Sequence, residues 1–481
     1  MKQKLRLPKR ALGLAVIAGA AIAVALTGGT SSRAAVSHSM TPAVGGINVR
    51  PEVSAPQHAL PGATNLFGCQ SRPIDGSAGA RCYTPQQIRQ AYGFSSLIAK
   101  GITGKGKTIV IIDAFSNPWV RDDLSIEDST FGLPAPPSFD IVAPQGETAF
   151  DLSDGNQVGW ASEISLDVLS AHAMAPDAKI VLVEAKTNDD QDLLNATKYV
   201  VDNHIGDVIS QSFGEAEQCM DPSLLTQQHA LFAKAVGEGY TIFASSGDSG
   251  ASQGSCDGTG AILAASTPAS DPNVTGVGGT TLNATDAQTT PSQPDGTYLG
   301  ETTWTEIFGC NPPAVDPSDV NCSGGGWSTI FGRPSWQQAL VKGGDPHPAR
   351  GVPDVSYDAA VNGGLLIHSG VLLAYYYGLD PDTPSFFIFG GTSAGSPQWS
   401  ALAADADQVA GHDLGSINRS LYQLAQSPPK YAADFNDITV GNNDVAEIGG
   451  EGYNAGKGWD PVTGLGSPKA ANLVPALAGK G

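Results

Sequence analysis

One serine in this sequence stands where a catalytic nucleophile could be mounted. Ser393 follows the apolar run 387–389 and a glycine pair, and Pro397 comes four residues later, where a helix could open. A serine hydroxyl held on such a turn can attack a carbonyl carbon if a nearby group accepts its proton. The stretch 391–395 also matches G-x-S-x-G, the nucleophile turn of α/β-hydrolases. The proton acceptor therefore decides which class of serine hydrolase the sequence encodes.

Histidine is the usual acceptor, but the histidines of this chain are poorly placed. An α/β-hydrolase requires the order serine, acid, histidine, and only His412 follows Ser393. The stretch between Ser393 and His412 is too short to contain the strands that an α/β-hydrolase has between its serine and its histidine. A subtilisin order requires a histidine upstream in a helix-opening H-G-T setting, and no upstream histidine has one.

Carboxyl groups offer an alternative proton acceptor to histidine. Glu163 and Asp167 are four residues apart and so share one face of a predicted helix. Asp248 follows the predicted strand 240–246 in a Ser-Gly-rich turn, where its ordinary role would be turn formation. Asp113 ends the predicted strand 108–115, and we interpret it as a structural or supporting residue. Without further motifs, a Glu and an Asp at this spacing usually lie on a solvent-exposed face of a helix.

Several short motifs accompany these residues in a fixed order. They are S-Q-S-F-G at 210–214, S-S-G-D-S-G at 245–250, V-G-G-T at 277–280, S-G-G-G at 323–326, residues 331–336, P-D-V-S at 353–356 and G-T-S-A-G-S-P at 391–397. From Tyr83 to the C-terminus the sequence closely resembles the sedolisins, the serine-carboxyl peptidases. It departs from them at Gly395, where a serine is more usual.

The resemblance implies a role for each polar residue. Glu163 would be the general base and then the acid, with Asp167 supporting it and Ser393 as the nucleophile. Asp248 would be held protonated and, with the Ser393 backbone N–H, would bind the oxyanion. The site then needs an ionised Glu163 beside a neutral Asp248, which implies an acidic working range. The segment Ser212, Phe213 and Gly214 would pair with the substrate backbone.

A second constellation lies near the C-terminus, in residues 434–466. The resemblance implies one structural Ca²⁺, because Ca²⁺ prefers carboxylate and carbonyl oxygens and glycines let a loop aim its carbonyls inward. The expected ligands are the carboxylates of Asp437 and Asp460 and the carbonyls of Ile438, Gly456 and Gly458. The spacing is not that of an EF-hand, and a plain glycine-rich loop is the alternative.

Alternating apolar strands and amphipathic helices must position these residues. Strands are predicted at 108–115, 179–185, 207–213, 240–246 and 274–282, and helices at 84–92, 161–174, 191–203 and 224–238. This alternation predicts an α/β fold with a doubly wound, mostly parallel sheet and helices on both faces. Active sites in such sheets lie at the carboxyl ends of the strands. We expect one large catalytic domain over residues 81–478.

The N-terminus and the cysteines indicate export. Residues 1–35 have the basic, apolar and small-residue order of a secretory signal, with a membrane anchor as the alternative. Residues 36–80 are expected to form a short extension or a reduced prosegment. The six cysteines fall into sequence-local pairs, and we take nearest-neighbour pairing as a hypothesis because six cysteines allow 15 connectivities. The pairs are Cys69–Cys82, Cys219–Cys256 and Cys310–Cys322.

The charge of the chain restricts its partners. The sequence has 47 acidic and 26 basic residues, a formal charge of −21 that repels nucleic acid and anionic membranes. We therefore expect a secreted monomer that acts on polypeptides, with no nucleic acid partner and no membrane contact after signal removal. A subtilisin-like or α/β-hydrolase esterase and an inactive binding homologue are the alternatives.

Overall fold

The computed structural model of the protein describes residues 46, 47, 49, 51–63, 65–286, 295–306, 321–343 and 348–480. The expected signal segment, residues 1–35, lies outside them, as does Cys310. The described residues all belong to one compact unit.

Short strands and helices alternate along the described chain. The strands are β1 (Cys82–Tyr83), β2 (Thr108–Ala114), β3 (Phe139–Val142), β4 (Lys179–Ala185), β5 (Val208–Gln211), β6 (Glu215–Ala216), β7 (Thr241–Ser245), β8 (Ser252–Gly254), β9 (Ala261–Leu263), β10 (Ser266–Thr267), β11 (Thr275–Ala284), β12 (Tyr298–Thr303), β13 (Gly326–Gly332), β14 (Ala349–Val352), β15 (Val355–Asp358), β16 (Gly364–His368), β17 (Phe386–Phe389), β18 (Phe435–Asn436) and β19 (Ser467–Pro468). The helices are α1 (Pro85–Tyr92), α2 (Phe94–Ile98), α3 (Val120–Phe131), α4 (Gly155–Met174), α5 (Asp190–Asp202), α6 (Pro222–Gly237), α7 (Gly370–Tyr377), α8 (Gly395–Ala410), α9 (Asn418–Ala425), α10 (Pro428–Asp434) and α11 (Ala470–Leu477).

An eight-stranded sheet forms the centre of the molecule. Its order is β12-β11-β7-β5-β2-β4-β3, with β15 also paired to β11. All its pairings are parallel except the one between β11 and β12. The predicted doubly wound, mostly parallel sheet is therefore confirmed.

Both faces of this sheet are buried, which explains why its strands are almost continuously apolar. Along β2, Ile109 and Ile111 pack in one hydrophobic cluster with residues of α4 and α8. The alternate residues Val110 and Ile112 pack in a second cluster with residues of α5 and α6. Successive side chains of a strand point to opposite faces, so one strand contributes to both clusters.

Most predicted elements agree with the structure, and the largest difference concerns the helix that carries Glu163. Helix α4 begins at Gly155, earlier than the predicted start at 161, because the Asp154 side chain accepts a hydrogen bond from the Asn156 N–H and caps it. Helix α1 begins at Pro85 with Thr84 as its N-cap, as predicted. Strand β3 and helix α3 were not predicted.

Two of the three expected disulfides are present. Cys69 is bonded to Cys82 and Cys219 to Cys256, which confirms those pairings. The expected Cys310–Cys322 pair includes a residue outside the described part of the chain. Among the described residues, no helix has the length and apolar character needed to cross a membrane.

Candidate active site

Helix α4 and strand β2 bring three carboxyl groups together in the interior. Glu163 and Asp167 lie on α4, Asp113 lies near the end of β2, and each of the three residues is 0% exposed. None of their carboxyl oxygens has a hydrogen-bond partner among the described residues. Carboxyl groups this deeply buried avoid ionisation together, because each charge is unfavourable in the interior and repels its neighbours.

The electrostatics of this trio follow from burial. Burial raises the pKa of Glu163 well above its usual range, and the neighbouring Asp113 raises it further. Burial, then Asp113 and Glu163, raise the pKa of Asp167 in the same way. Burial and the charge of Glu184 raise the pKa of Asp113 to about 8. The three groups therefore titrate as a coupled set that shares protons.

Ser393 lies on a short 3-10 turn, Thr392–Ala394, that leads directly into α8. It is 7% exposed, and its hydroxyl lies 3.4 Å from the Ser212 carbonyl oxygen at the end of β5. The Ser393 hydroxyl is also close enough to Glu163 to lower the pKa of that carboxyl, against the effect of burial. The two groups are not joined by a hydrogen bond of normal geometry in the structure.

Asp248 lies on the turn that follows β7 and contacts the nucleophile turn at Thr392. Its Oδ1 atom accepts hydrogen bonds from the Thr392 backbone N–H at 2.8 Å and from the Thr392 hydroxyl at 2.6 Å. Its backbone carbonyl accepts a hydrogen bond from the Cys322 N–H at 2.9 Å, which fixes the turn. Burial raises the pKa of Asp248, while the two Thr392 donors lower it.

A small space lies between Asp248 and the backbone of Ser393, beside Gly391. Gly391 has φ of 97°, and a Cβ atom there would lie 2.8 Å from Asp248 Oδ2 and 3.8 Å from the Ser393 nitrogen. The Ser393 N–H donates no hydrogen bond to another described backbone carbonyl. Because Gly391 has no side chain, there is room for a ligand atom between the Asp248 carboxyl and the Ser393 N–H. Both groups can donate a hydrogen bond to such an atom when Asp248 is protonated.

The segment that follows β5 offers a free backbone edge next to the serine. Neither Phe213 nor Gly214 uses its backbone in a hydrogen bond with another described residue. The Ser212 hydroxyl donates to the Ser393 carbonyl at 3.3 Å, so this edge is attached to the nucleophile turn. Such an edge can accept an extended peptide as an additional strand.

The structure therefore brings Glu163, Asp167, Asp248 and Ser393 into one site, with Ser212, Phe213 and Gly214 along it. Sequence reasoning missed Thr392, which holds Asp248. It also left Asp113 outside the site, although Asp113 contacts both helix carboxyls electrostatically. The sequence signal for both was position alone, since Thr392 precedes the serine and Asp113 ends a buried strand.

The second predicted constellation is also assembled, at the C-terminal loops. Asp437 Oδ1 accepts a hydrogen bond from the Gly458 N–H at 3.0 Å, and Asp460 Oδ2 accepts one from the Gly456 N–H at 3.1 Å. Burial, and then the charges of both aspartates, raise the pKa of the Tyr431 phenol, which places the two carboxylates in one region.

The carboxylate and carbonyl oxygens of this loop are ligands that suit a hard cation. The carbonyl oxygens of Ile438, Gly456 and Gly458 accept no backbone hydrogen bond within the described residues. The same part of the chain contains no group of three or more His, Cys, Asp or Glu side chains able to hold a metal. A cation here would be bound by two carboxylates and backbone carbonyls, a donor set typical of Ca²⁺.

Comparisons with known proteins agree with this geometry. The model of the subtilase family matches residues 156–416. Kumamolisin from Bacillus sp. (strain MN-32) is 32% identical over 450 residues, which cover 89% of this chain and 72% of that protein. Sedolisin from Pseudomonas sp. (strain 101) is 30% identical over 406 residues, which cover 84% of this chain and 62% of that protein.

One solved structure extends the likeness to the fold. It is a Pseudomonas sedolisin, described as a serine-carboxyl proteinase, in complex with two molecules of pseudo-iodotyrostatin. It superimposes with a TM-score of 0.66 at 29% sequence identity, and covers 82% of this chain and 97% of that one.

Proposed function

The chain belongs to the sedolisin family of serine-carboxyl peptidases, which has a subtilisin-like fold, and we propose that it hydrolyses peptide bonds in acid through Ser393 and Glu163. One observation supports this above all: a buried carboxyl group, Glu163, lies beside the hydroxyl of a serine that sits on a strand-to-helix turn. The chain has no histidine at that place. Glu163 is the carboxyl whose pKa the Ser393 hydroxyl lowers, so we assign it as the group that removes the serine proton.

The reaction begins with acylation of the serine. Glu163, ionised, takes the proton of the Ser393 hydroxyl as the oxygen attacks the carbonyl carbon of the substrate. The tetrahedral adduct collapses when Glu163 returns this proton to the leaving amine. Water then attacks the acyl-enzyme, with Glu163 again acting as base and then as acid. Asp167, one helical turn away, shares protons with Glu163 and sets how readily Glu163 ionises.

The oxyanion of the adduct would lie in the space beside Gly391. The Ser393 N–H and a protonated Asp248 Oδ2 would donate hydrogen bonds to it. A carboxyl group can donate only while it carries its proton, and burial favours that form. The reaction needs Glu163 ionised and Asp248 protonated, and burial favours the protonated form of both carboxyls. The active form would therefore carry a single charge, held on Glu163 and shared within the coupled set, and activity in acidic and weakly acidic conditions should be lost once rising pH ionises Asp248.

The substrate would be an extended polypeptide. The free backbone of Phe213 and Gly214 can pair with one side of such a chain, and the attachment of Ser212 to Ser393 keeps that edge in register with the nucleophile. An esterase of the α/β-hydrolase class is disfavoured because Ser393 lies on a turn before α8, and the carboxyl beside it lies on helix α4 of a subtilisin-like fold.

A bound Ca²⁺ would stabilise the C-terminal loops. Asp437 and Asp460 would supply charge, and the carbonyls of Ile438, Gly456 and Gly458 would complete the donor set. The ion would take no part in the reaction. Its effect would be to hold the glycine-rich loop 454–464 against the segment that follows α10.

We also assign the protein to the secreted class. Two disulfides support this, because disulfides persist mainly in oxidising compartments. The basic and apolar order of residues 1–35 is the second support, and residues 81–478 are the proposed peptidase domain.

The test is hydrolysis of a denatured protein substrate between about pH 3 and pH 8, with the Ser393→Ala variant as control. We expect cleavage by the wild-type protein, greatest on the acid side, and none by the variant. Equal cleavage by both would remove Ser393 from the mechanism. Binding of the substrate without cleavage would support the alternative that the protein is an inactive binding homologue.

A further inference from the structure

A buried hydrogen-bond network joins helix α4 to other parts of the fold. At its centre is Asp123, a fully buried residue in the first turn of α3. The Ser165 hydroxyl donates to Asp123 Oδ2 at 2.9 Å. The Gly370 N–H donates to Oδ1 at 2.8 Å, and His368 Nδ1 lies 2.9 Å from the same oxygen. The Asp123 carboxyl therefore connects α4, which carries Ser165, with the end of β16.

Asn117 adds a second contact with the same helix. It lies three residues after the end of β2 and is 3% exposed. Its side-chain amide donates to the Ala161 carbonyl at 2.8 Å and to the Ser165 hydroxyl at 2.9 Å. Its Oδ1 atom accepts a hydrogen bond from the Trp119 N–H at 2.9 Å, which orients the amide. Asn117 thus joins α4 to the end of β2, the strand that carries Asp113.

The other end of the network leads to the nucleophile turn. His368 is the last residue of β16, which pairs in antiparallel register with β17. Strand β17 ends four residues before Ser393. The imidazole is held on both sides, because its Nε2 atom lies 2.9 Å from the Thr383 carbonyl oxygen. Asp123 therefore bridges the helix of Glu163 and the strand pair that leads to Ser393.

The position of the Glu163 carboxyl depends on its helix. Its oxygens have no hydrogen-bond partner among the described residues, so no direct bond of that kind orients them. The network holds α4 at Ala161 and Ser165, two residues before Glu163 and two residues after it. A displacement of about 1 Å between reacting groups can lower a rate by about 10²-fold, so this hold matters for proton transfer.

We propose that Asp123 is a positioning residue, which through Ser165 holds α4 where Glu163 can take the serine proton. This rests on the proposed peptidase function. Asp123 is bonded to neither Glu163 nor Ser393 and would act through the helix alone. Binding of substrate should not depend on it, because the edge that would pair with a peptide follows β5 and not α4.

Two serines of α4 provide a matched pair of variants. Ser165 and Ser170 are both fully buried, and alanine is a good helix former at either position. The Ser165 hydroxyl bonds Asp123, whereas the Ser170 hydroxyl has no hydrogen-bond partner among the described residues. Ser165→Ala therefore removes the bridge, and Ser170→Ala removes a buried hydroxyl without it.

The first experiment tests the bridge without relying on catalysis. Hydrogen exchange of the α4 amides is measured by mass spectrometry, with peptides from α5 as the internal reference. We expect exchange in α4 to be about fivefold faster or more in Ser165→Ala, which corresponds to the loss of one hydrogen bond, and unchanged in Ser170→Ala. Exchange as slow as in wild type, equal acceleration in both variants, or equal acceleration of α4 and α5 would overturn the bridge.

The second experiment tests positioning. Single-turnover acylation with one peptide substrate gives a rate constant and a half-saturating substrate concentration. In Ser165→Ala we expect the rate constant to fall by about tenfold or more and the half-saturating concentration to stay within about twofold of wild type. Ser170→Ala should match wild type in both. If the network only stabilised the fold, Ser165→Ala would lower the melting temperature and leave the acylation rate unchanged, which would overturn positioning.

Asp123→Asn completes a double-mutant cycle. If Ser165 acts through Asp123, adding Ser165→Ala to Asp123→Asn should slow acylation no further. Additive losses would overturn the role of Asp123. If Asp123→Asn does not fold, the comparison of Ser165→Ala with Ser170→Ala decides. A wild-type protein that cleaves no peptide would overturn the peptidase and the positioning role, while hydrogen exchange would still decide whether the bridge exists.

Discussion

Asp248 accepts a 2.8 Å hydrogen bond from the backbone N–H of Thr392, the residue immediately before Ser393. The Thr392 hydroxyl donates to the same oxygen, Oδ1, at 2.6 Å. With Oδ1 used by these two donors, a proton on Asp248 is directed to Oδ2, the atom next to the space at Gly391. The residue that would bind the oxyanion is thus oriented by the turn that carries the nucleophile.

The space at Gly391 leads to the first prediction. In Gly391→Ala the new methyl group would lie 2.8 Å from Asp248 Oδ2 and would fill the space expected to receive the oxyanion. We expect kcat to fall by about 10²-fold or more, the usual effect of losing an oxyanion donor. Gly411→Ala is the matched control, because Gly411 also has a positive φ but has no atom within 4 Å of the added methyl group. Equal losses in both variants would mean that backbone strain alone is responsible.

The protonation of Asp248 leads to the second prediction. Asp248→Asn donates a hydrogen bond at every pH, whereas the native carboxyl stops donating once it ionises. The variant should be slower than wild type at its optimum, yet its kcat/KM should fall less steeply on the alkaline side. The pH profiles of both proteins with one peptide substrate provide the measurement. An alkaline limb identical to that of wild type would argue against Asp248 as the donor.

Buried carboxyls lead to a prediction about stability. Burial raises the pKa of Asp113 to about 8 and that of Asp407 to about 7, while both groups titrate near pH 4 in an unfolded chain. Between these values the folded protein binds more protons than the unfolded one, so stability falls as pH rises.

The melting temperature should therefore be several degrees lower at about pH 8 than at about pH 4.5. Asp113→Asn cannot ionise, so its melting temperature should depend less steeply on pH. A wild-type melting temperature that rises across this range would contradict the assignment of these groups as protonated in the folded state.

The C-terminal loops lead to a prediction about calcium. If Ca²⁺ binds there, removing it with a chelator should lower stability, by about 4 kcal/mol when the free ion had been a thousandfold above its dissociation constant. Thermal unfolding with and without chelator measures this loss. Asp460→Asn should respond far less to the chelator than wild type. Asp382→Asn, a change at an exposed aspartate elsewhere, should respond fully. A wild-type protein indifferent to chelation would exclude a structural ion.

The sequence predicted the sheet well because its central strands are buried on both faces. Strands β2, β4 and β7 are apolar runs whose ends agree with the prediction within one residue. The start of α4 was missed because residues 155–160 include two glycines and two amide side chains, which are poor helix signals, and the cap is a single aspartate in a polar loop. The strands of two or three residues outside the central sheet, such as β1, β6 and β10, were missed because so short a run carries no periodic signal.

The residues of the site were predicted from their motifs, whereas the contacts between distant parts of the chain were not predicted. Glu163 and Ser393 could be assigned because each stands in a recognisable local context. The Thr392–Asp248 bonds and the coupling of Asp113 to α4 join residues far apart in sequence, and no local pattern encodes them. The N-terminal segment shows no periodic pattern because several of its hydrogen bonds join it to residues far along the chain, among them Asn188, Phe386 and Gly390.

The role of Glu163 is tested most directly by single-turnover acylation of Glu163→Gln, measured with a peptide substrate at the acid optimum. Glutamine preserves the size of the side chain but cannot accept the serine proton. We predict that acylation slows by about 10⁴-fold or more while circular dichroism shows an intact fold. Acylation at a rate close to wild type, in a variant that remains folded, would contradict the assignment of Glu163 as the base for Ser393.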